Sequence, residues 1–474
     1  MPDAMRPTGA ILGQEAIVFL LRGPAAIAIA LVLLAVAYAG WSGDRWRDGR
    51  VADLEEFADA RLAAVQTWRA ELVAVEEGSG DPSPFVANPM NIAFPATLPP
   101  GALGDFAVGH TDLHPSSGEI SPWNNLSTIF GRYQFENPEM LAMGSFDVAL
   151  VVIVVMPLLM VAVSFDLLSR ERARGTLALT LSAPMALAWM LWTRLLFRNG
   201  VLWLSAIAAM SALVLLNDTG GDRLARFGWW LAACLVYGGF WLALIAFVVA
   251  RFRHATQSAA VLAGLWFVVV FAMPGLVSAV TETIYPTPSR LALLSEVREV
   301  EAETTRDLAS LTDRFLTDHP ELTVGDEGMP AFFRAAFLAN DAARRVTAPI
   351  IDGFEQARYG RARALGLAQY LSPAIVAQRV LHLLADADLE RQHRFQDQAR
   401  QALFELADAV GPAIVSRNRI TVAEFDGLST FAFVDRTLAE ARRVFLFPLA
   451  FLVVVTLLLA VAASRRLNDE EAWT

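Results

Sequence analysis

The sequence predicts an all-α polytopic membrane protein with six transmembrane helices and two mainly helical extracytoplasmic insertions. The 474 residues are 55% hydrophobic, with a mean hydropathy of +0.43, which is more apolar than a soluble domain of this size requires. Several apolar windows are long enough to cross a bilayer at about 1.5 Å of rise per residue. Two long segments between them are rich in acids and have the pattern of exposed helices.

The apolar windows define the predicted spans. These are residues 24–41, 146–166, 185–216, 227–250, 258–280 and 443–464. The second contains Pro157, which a span tolerates where neighbouring groups bind the carbonyl that the proline leaves free. Residues 1–23 have the mixed character of an amphipathic interfacial helix. A cleaved signal peptide is the competing interpretation, but Gly40-Trp41-Ser42-Gly43 is a poor cleavage site, so we favour the uncleaved helix.

The two insertions cover residues 42–145 and 281–442, and we expect them to pack on each other. In the first, residues 51–75 have the spacing of an exposed amphipathic helix. Residues 78–100 are rich in Gly, Pro and Asn, which predicts irregular structure. In the second, helical patterns recur between prolines. These predicted helices cover residues 291–316, 331–345, 356–369, 373–385 and 388–410, with breaks at Pro330, Pro349 and Pro373 and an N-cap within Asp386-Ala387-Asp388.

Arginine is concentrated at one set of span ends, and this sets the predicted orientation. The residues are Arg6, Arg22, Arg170, Arg172, Arg174, Arg194, Arg198, Arg251, Arg253, Arg465 and Arg466. The positive-inside rule places them in the cytosol with both termini, the loop at residues 167–184 and the tail at residues 465–474. Three arginines at residues 45–50 lie on the other side, where they alternate with acids. The pattern predicts a multi-pass protein of the bacterial inner membrane.

Residue types that are missing argue against several functions. The chain has no lysine, so it cannot contain a phosphate-binding loop of the G-x-x-x-x-G-K-[ST] kind, and any ATPase that drives it is another polypeptide. Its single cysteine, Cys234, allows no disulfide within the chain. No zincin or nucleophile-elbow motif is present, so we expect neither an enzyme nor a bound cofactor. Few ionisable residues lie in the spans, which argues against a proton relay or an ion-coupled carrier. No basic face is left over for nucleic acid.

Four polar residues have two possible interpretations each. His110 and His114 flank an aspartate at a spacing that can bind a metal. Pro115 breaks any helix there and no third ligand lies nearby in the sequence, so we favour packing over metal binding. Asp147 and Asp166 lie at the two edges of the second span, where we expect them to reach water. The sequence leaves helix capping and a functional role open for both.

The stretch from residue 147 to residue 198 carries the most specific motif. It contains Asp166, Ser169-Arg170-Glu171, Gly175-Thr176-Leu177, Leu181-Ser182-Ala183-Pro184, Arg194 and Arg198. These residues resemble the signature of type-2 ABC transporter permeases, in the branch with two large extracytoplasmic domains that is related to the permease of nitrous-oxide-reductase maturation. Further segments similar to that branch are Phe106–Pro115, Glu136-Asn137-Pro138, Gly144–Asp147, Tyr285-Pro286 and Leu371–Ala374.

The resemblance implies a type-2, exporter-like permease subunit that moves or extracts a substrate across the inner membrane. The implied partners are a dimer of ABC ATPase subunits that bind ATP and Mg, a second permease (identical or homologous), membrane lipid and an extracytoplasmic protein. Arg172 or Ala173 stands where relatives often carry a second Glu, and Arg194 stands where they carry a Lys. The implied ATPase-coupling residues are Asp166, Ser169, Arg170, Glu171, Arg172, Arg174, Gly175, Thr176, Leu177, Pro184 and Arg194.

The residues themselves also favour a coupling element at 170–184. Gly175 predicts the end of a charged helical turn, and residues 176–181 predict a short apolar helix after it. Glu171 is an acid in a loop otherwise biased to arginine, so we expect it to pair with Arg172, with Arg174 or with a basic group on the ATPase. A protein of a different class stays open: a non-transport scaffold or sensor whose outer domains bind an extracytoplasmic partner.

Overall fold

The protein is an all-α polytopic membrane protein in the computed structural model, as the sequence predicts. The structure describes residues 5–468 except 22–24, 110, 112–113, 127, 131–145, 176–185, 218–219, 287–291, 305 and 307–328. Within that part of the chain, six helices are long and apolar enough to cross a membrane, by length and composition.

Each predicted span overlaps one of these six helices. They are α2 (Ala25–Glu76), α3 (Val148–Ala173), α4 (Leu187–Leu216), α5 (Arg223–Arg251), α6 (Ala255–Ile284) and α12 (Leu438–Leu467). α5 packs along α12, and α4 packs against α2, whereas α6 and α12 leave most of their apolar surface uncovered. The N-terminal α1 (Met5–Glu15) continues into a π-helical turn at Ala16–Leu21 and packs on α4.

The two ends of the helical bundle differ in what they carry. Both insertions lie at one end, which we call the insertion end. The other end carries the loop after α3 and the loop at residues 251–254, and we call it the arginine-rich end. α5 runs from the first end to the second.

α2 is a single helix of 52 residues, so the predicted first span and the amphipathic helix at residues 51–75 are one element. The glycines that mark the predicted end of the span do not end the helix. A Cβ atom on Gly40 would overlap the side chain of Leu213 in α4, and one on Gly43 would overlap the backbone of Asp105 in the first insertion. These glycines therefore allow close packing against α2 instead of breaking it.

Pro157 in α3 is accommodated by a partner helix. Because proline has no N–H, the carbonyl of Ile153 lacks its partner within the helix. It accepts a hydrogen bond of 3.1 Å from the hydroxyl of Tyr237 in α5. The next carbonyl, that of Val154, accepts the indole N–H of Trp266 in α6 at 3.1 Å. Both contacts fall on a π-helical turn, and they confirm that neighbouring side chains satisfy the freed carbonyl.

The π-helical turn at Val268–Ala272 in α6 also accepts a hydrogen bond from a side chain outside its own helix. The hydroxyl of Ser372 donates to the carbonyl of Val269 at 2.7 Å and also accepts the N–H of Ala374. Ser372 thus caps α9 (Pro373–Leu384) and ties it to a span. α9 belongs to the same buried cluster as the spans and packs between α5 and α12, although the sequence predicted it as part of an extramembrane domain.

The first insertion contains a pair of strands, the first of which lies within residues 78–100, the segment predicted to be irregular. β1 (Phe94–Thr97) and β2 (Ser117–Ile120) are antiparallel, with Phe94 opposite Ile120. The burial of β1 alternates with period two, because Phe94 and Ala96 face the core and the residues between them face outward. The short alternation of β1 was not recognised in the sequence, because prolines are frequent in residues 78–100. The prediction of irregular structure is therefore wrong for β1.

The second insertion is helical. Its other elements are α7 (residues 292–304), α8 (Ala331–Ala368), α10 (Leu389–Val415) and α11 (Val422–Asp426). The predicted break at Pro349 is wrong, because α8 is one helix of 38 residues with that proline inside it. Phe337 and Ile351 anchor it in the core on either side of Pro349, so packing outweighs the lost backbone bond. The predicted helix at residues 291–316 lies outside the described residues beyond residue 306.

The two insertions share one hydrophobic core, which confirms that they pack on each other. Trp68 of the first insertion lies against Phe425 of the second, with ring centroids 4.9 Å apart. At the surface, Arg69 donates two hydrogen bonds of 2.7 Å to Asp426. The insertions are therefore one packed unit at the insertion end of the bundle.

Candidate coupling site at the arginine-rich end

The predicted coupling stretch begins with a short helix at the end of α3. This charged helix, Ser169–Ala173, follows Asp166, whose carboxylate pairs with Arg170 one turn later. The hydroxyl of Ser169 donates to the carbonyl of Asp166 at 3.3 Å. The helix then ends, and Gly175 has a φ of 71°, the left-handed conformation typical of a helix C-terminus. The sequence therefore predicted this local structure from its glycine and its charges.

Glu171 points from the charged helix to α4. Its carboxylate pairs with the guanidinium of Arg194, and its side chain is half-buried. The sequence predicted a partner within the loop or on another protein, whereas the structure joins Glu171 to a residue on a membrane helix. The pair connects two of the predicted site residues that are 23 positions apart.

A second carboxylate, Glu15 at the end of α1, lies on the other side of Arg194. Glu15 is 5% exposed and contacts two arginines of α4: its Oε1 atom is 3.3 Å from Nε of Arg194, and its Oε2 atom is 2.9 Å from Nε of Arg198. Arg198 also donates to the carbonyl of Val163 at 2.9 Å and lies over the ring of Phe19. α1, α3 and α4 therefore meet at these charges.

We call Glu15, Glu171, Arg194 and Arg198 the four-charge cluster. Two carboxylates face two guanidiniums, so the cluster is neutral when all four groups are ionised. Arg194 and Arg198 are buried and held by these partners, whereas isolated arginines of a span extend their guanidiniums toward water. Removing one partner of a buried ion pair costs about 3–5 kcal/mol, because a charge is left without compensation. The cluster therefore fixes the charged helix relative to α1 and α4.

Glu15 is the functional candidate that sequence reasoning missed. It is the only acid in residues 5–21, and it comes directly before an apolar run. An acid directly before an apolar run indicates a buried cationic partner, because burying an unpaired carboxylate would destabilise the fold. The two arginines that it contacts lie more than 170 residues away in the sequence, so their identity follows only from the fold.

The remaining predicted site residues are placed as follows. Arg172 donates to the carbonyl of Phe252, at the end of α5, at 3.3 Å. Arg174 is exposed. Thr176, Leu177 and Pro184 lie outside the described residues, as does the predicted apolar helix at residues 176–181.

Asp147 is a buried helix cap and does not reach water. Its carboxylate accepts the backbone N–H of Leu150 at 2.8 Å and that of Val108 at 3.1 Å, and the residue is 6% exposed. The prediction that Asp147 reaches water is therefore wrong, and the capping interpretation fits its contacts. It joins the start of α3 to the first insertion.

No group of three His, Cys, Asp or Glu side chains that could hold a metal occurs among the described residues. His110, the first of the two histidines with metal-binding spacing, lies outside the described residues. The chemistry that the described cluster offers is ionic attachment of one helix to another.

Two family models match the sequence. The ABC-2 family transporter protein model matches residues 57–317, more than half of the chain, and this segment includes the charged helix and α4. A domain of unknown function, DUF3526, matches residues 290–434, most of the second insertion. No curated protein and no solved structure matches.

Proposed function

The chain belongs to the ABC-2 family of transporter proteins, and from this premise we propose that it is the permease subunit of an exporter-like transporter driven by a separate ATPase. In this proposal a dimer of ATPase subunits, which bind ATP and Mg, docks at the charged helix. A second permease, identical or homologous, completes the pathway through which a substrate is moved or extracted. The two insertions favour the branch related to the permease of nitrous-oxide-reductase maturation.

The observation that carries the proposal is the attachment of the charged helix to the membrane helices. Glu171 pairs with Arg194 of α4, and Arg194 also contacts Glu15 of α1. A displacement of the charged helix is therefore passed to α4 through a partly buried ion pair. An exposed pair contributes only about 0–1 kcal/mol and would transmit little, whereas breaking a buried one costs about 3–5 kcal/mol.

The charge distribution supports the proposed orientation in the bacterial inner membrane. Arg170, Arg174, Arg251 and Arg253 are exposed at the arginine-rich end. Short loops rich in arginine stay in the cytosol, so this end faces the ATPase and both insertions face outward. The same rule places both termini in the cytosol.

Uncovered apolar surface supports a second permease. α6 and α12 each leave most of their apolar windows exposed. Lipid covers part of such a surface, and a second permease chain covers the rest in the proposed complex. Native mass spectrometry in detergent should show two permease chains in each complex, and a single chain would contradict this part of the proposal.

The coupling role is tested by replacing Glu171. We expect Glu171→Ala to leave the chain folded and inserted but to reduce co-purification of the ATPase or to uncouple ATP hydrolysis from transport. Glu119→Ala is the matched control, because Glu119 also forms an ion pair, with Arg61 at 2.8 Å, but lies in the first insertion. Equal behaviour of Glu171→Ala, Glu119→Ala and the unmodified protein would remove Glu171 from the coupling role.

A scaffold or sensor that binds an extracytoplasmic protein is the second candidate function. It is favoured by an open groove of about 290 Å³ between the two insertions, lined among others by Trp68 and Ile92 of the first and Phe425 of the second. Purification from membranes followed by mass spectrometry separates the two candidates. An ATPase among the bound proteins supports the permease, and an extracytoplasmic protein without an ATPase supports the scaffold.

A further inference from the structure

The first turns of α5 carry two buried arginines at the insertion end. Arg223 and Arg226 are 3% and 2% exposed and lie three residues apart, so they project from the same side of the helix. Arginine is rarely buried without partners, because its guanidinium presents five donors that must be satisfied. The partners of these two arginines lie in different parts of the chain.

Arg223 holds the first insertion. Its two terminal nitrogens donate to the carboxylate of Asp105 at 3.0 and 2.6 Å, in a bidentate arrangement, and one of them also donates to the carbonyl of Ala102 at 2.7 Å. Asp105 is 1% exposed. Bidentate pairs of this kind fix orientation as well as distance.

Arg226 holds the second insertion and the segment that leads into α12. It donates to Asp386 at 2.7 Å and to the carbonyl of Arg436 at 2.9 Å, while its Nε atom donates to Asp222 at 2.7 Å. Asp386 lies in the turn between α9 and α10 and has a φ of 55°, which is uncommon for a residue other than glycine. Arg226 therefore binds the turn between α9 and α10 at a residue whose backbone conformation is uncommon.

The opposite end of α5 is joined to the charged helix. The carbonyl of Phe252, directly after α5, accepts the hydrogen bond from Arg172. α5 has 29 residues and no proline, so it is a continuous helix about 43 Å long. It extends from the two buried arginines to Phe252. One helix thus links the candidate coupling site to both insertions.

We infer that Arg223 and Arg226 are positioning residues through which movement of the charged helix, carried by α5, reaches the two insertions. The inference rests on the proposed function, in which the charged helix is the part that moves. Arg223 transfers the displacement to the first insertion, and Arg226 transfers it to the second insertion and to the start of α12. The insertions then change position in step with the spans.

A purely structural role for Arg226 makes a different prediction. If the residue only stabilised its surroundings, its replacement would loosen residues 385–392 without affecting how that segment responds to the far end of α5. Transmission requires that a change at Arg172 alters residues 385–392, and that this response depends on Arg226. Coupling between two sites of this kind is measured by a double-mutant cycle.

The test is hydrogen exchange of the full-length protein in lipid nanodiscs, read by mass spectrometry. Four proteins are compared: unmodified, Arg172→Ala, Arg226→Gln and the double variant. We expect Arg172→Ala to change the exchange rate of residues 385–392 by about twofold or more, as for residues coupled through one network. In the Arg226→Gln background the same replacement should have no further effect there. Residues 248–254 should respond to Arg172→Ala in both backgrounds, which shows that the perturbation is present.

Two further variants make the outcome unambiguous. Arg69→Gln breaks a surface pair between the insertions that does not involve α5, and it should leave the response to Arg172→Ala intact. Asp386→Asn weakens the same contact as Arg226→Gln from the other side, so it replaces that variant if the latter does not fold. An equal response to Arg172→Ala with and without the Arg226–Asp386 contact, or no response at all, overturns the inference.

The experiment needs no ATPase, so it is independent of the test of the proposed function. Exchange coupling in a chain that binds no ATPase would reject the proposed function and retain the contact pathway. An ATPase that binds at the charged helix of a chain without exchange coupling would do the reverse.

Discussion

Glu15 and Glu171 show why the arginine-rich end could be predicted only in part. Glu171 stands out in the sequence because it is an acid among arginines, and the structure confirms that it is paired. Its partner could not be predicted, because Arg194 reaches it through the packing of α4 on α3 and not through local spacing. Glu15 contacts two buried arginines, Arg194 and Arg198, yet no motif identifies it. The pattern of charged residues in the sequence thus locates the site, whereas tertiary packing determines which acid pairs with which arginine.

Replacement of Glu15 should destabilise the protein more than replacement of an exposed acid. Glu15→Gln leaves Arg194 with only one of its two carboxylates and removes the carboxylate of Arg198, at an expected cost of about 3–5 kcal/mol. The apparent melting temperature in nanodiscs measures this loss. Glu56→Gln, at an exposed position of the same chain, is the control, and equal melting temperatures for the two variants would contradict the assigned burial.

Asp386 should make the stability of the insertion end depend on pH. Burial raises the pKa of Asp386 from its usual value near 4 to about 7, despite the opposing effect of Arg226. Because the folded protein holds this proton more tightly than the unfolded one, the contribution is fully present below about pH 4 and is lost as the pH rises through about 7. It amounts to at most about 4 kcal/mol, from about 1.4 kcal/mol for each pKa unit.

The apparent melting temperature at pH 5 and at pH 8 checks this expectation. The unmodified protein should be less stable at pH 8, and Asp386→Asn should have a smaller difference between the two pH values. Glu405→Gln, an exposed acid on α10, should leave the difference unchanged. The assignment to Asp386 fails if Asp386→Asn keeps the full pH dependence.

At the scale of elements, two prolines show that a proline in the sequence does not by itself determine whether a helix ends. Pro157 lies in a span where no water can bind the freed carbonyl, so a donor from a neighbouring helix had to be present, and Tyr237 supplies it. Pro349 lies in an insertion, where the sequence predicts a break, but packing on both sides of it keeps α8 continuous. The same residue type thus has different consequences, because tertiary contacts decide whether one missing bond ends a helix.

Tyr237→Phe measures how much the hydrogen bond from Tyr237 to the carbonyl of Ile153 contributes to stability. It removes the hydroxyl and leaves the carbonyl of Ile153 without its donor in a buried place, so we expect a loss of about 1–3 kcal/mol. The apparent melting temperature should fall accordingly. Tyr38→Phe is the control, since Tyr38 is half-exposed on α2. A Tyr237→Phe protein as stable as Tyr38→Phe would show that another group binds the carbonyl.

At the scale of the whole molecule, hydropathy predicts the six spans because the length and apolar composition of each span are contained in one continuous segment of the sequence. The position of α9 was not predictable in this way, because a 12-residue apolar helix is too short to span and its burial among α5 and α12 depends on the assembled bundle. The arrangement of both insertions at one end follows from the number of spans and can be tested directly.

Labelling of introduced cysteines tests that arrangement. Cysteines are placed singly at Ser79 in the first insertion and at Asp408 in the second, both exposed, in a Cys234→Ala background. Both positions should react with a membrane-impermeant maleimide in intact spheroplasts, because both insertions are proposed to face outward. Labelling at only one of them would contradict the six-span topology.

Whether the charged helix contacts an ATPase can be tested directly by crosslinking in cells. A photo-crosslinking amino acid is incorporated in place of Arg174, which is exposed next to Glu171, and separately in place of Asp408. After illumination of cells, we expect an ATPase to be crosslinked at position 174 and none at position 408. Recovery of an ATPase at position 408 alone, or at neither position, would contradict the claim that this chain is driven through its charged helix.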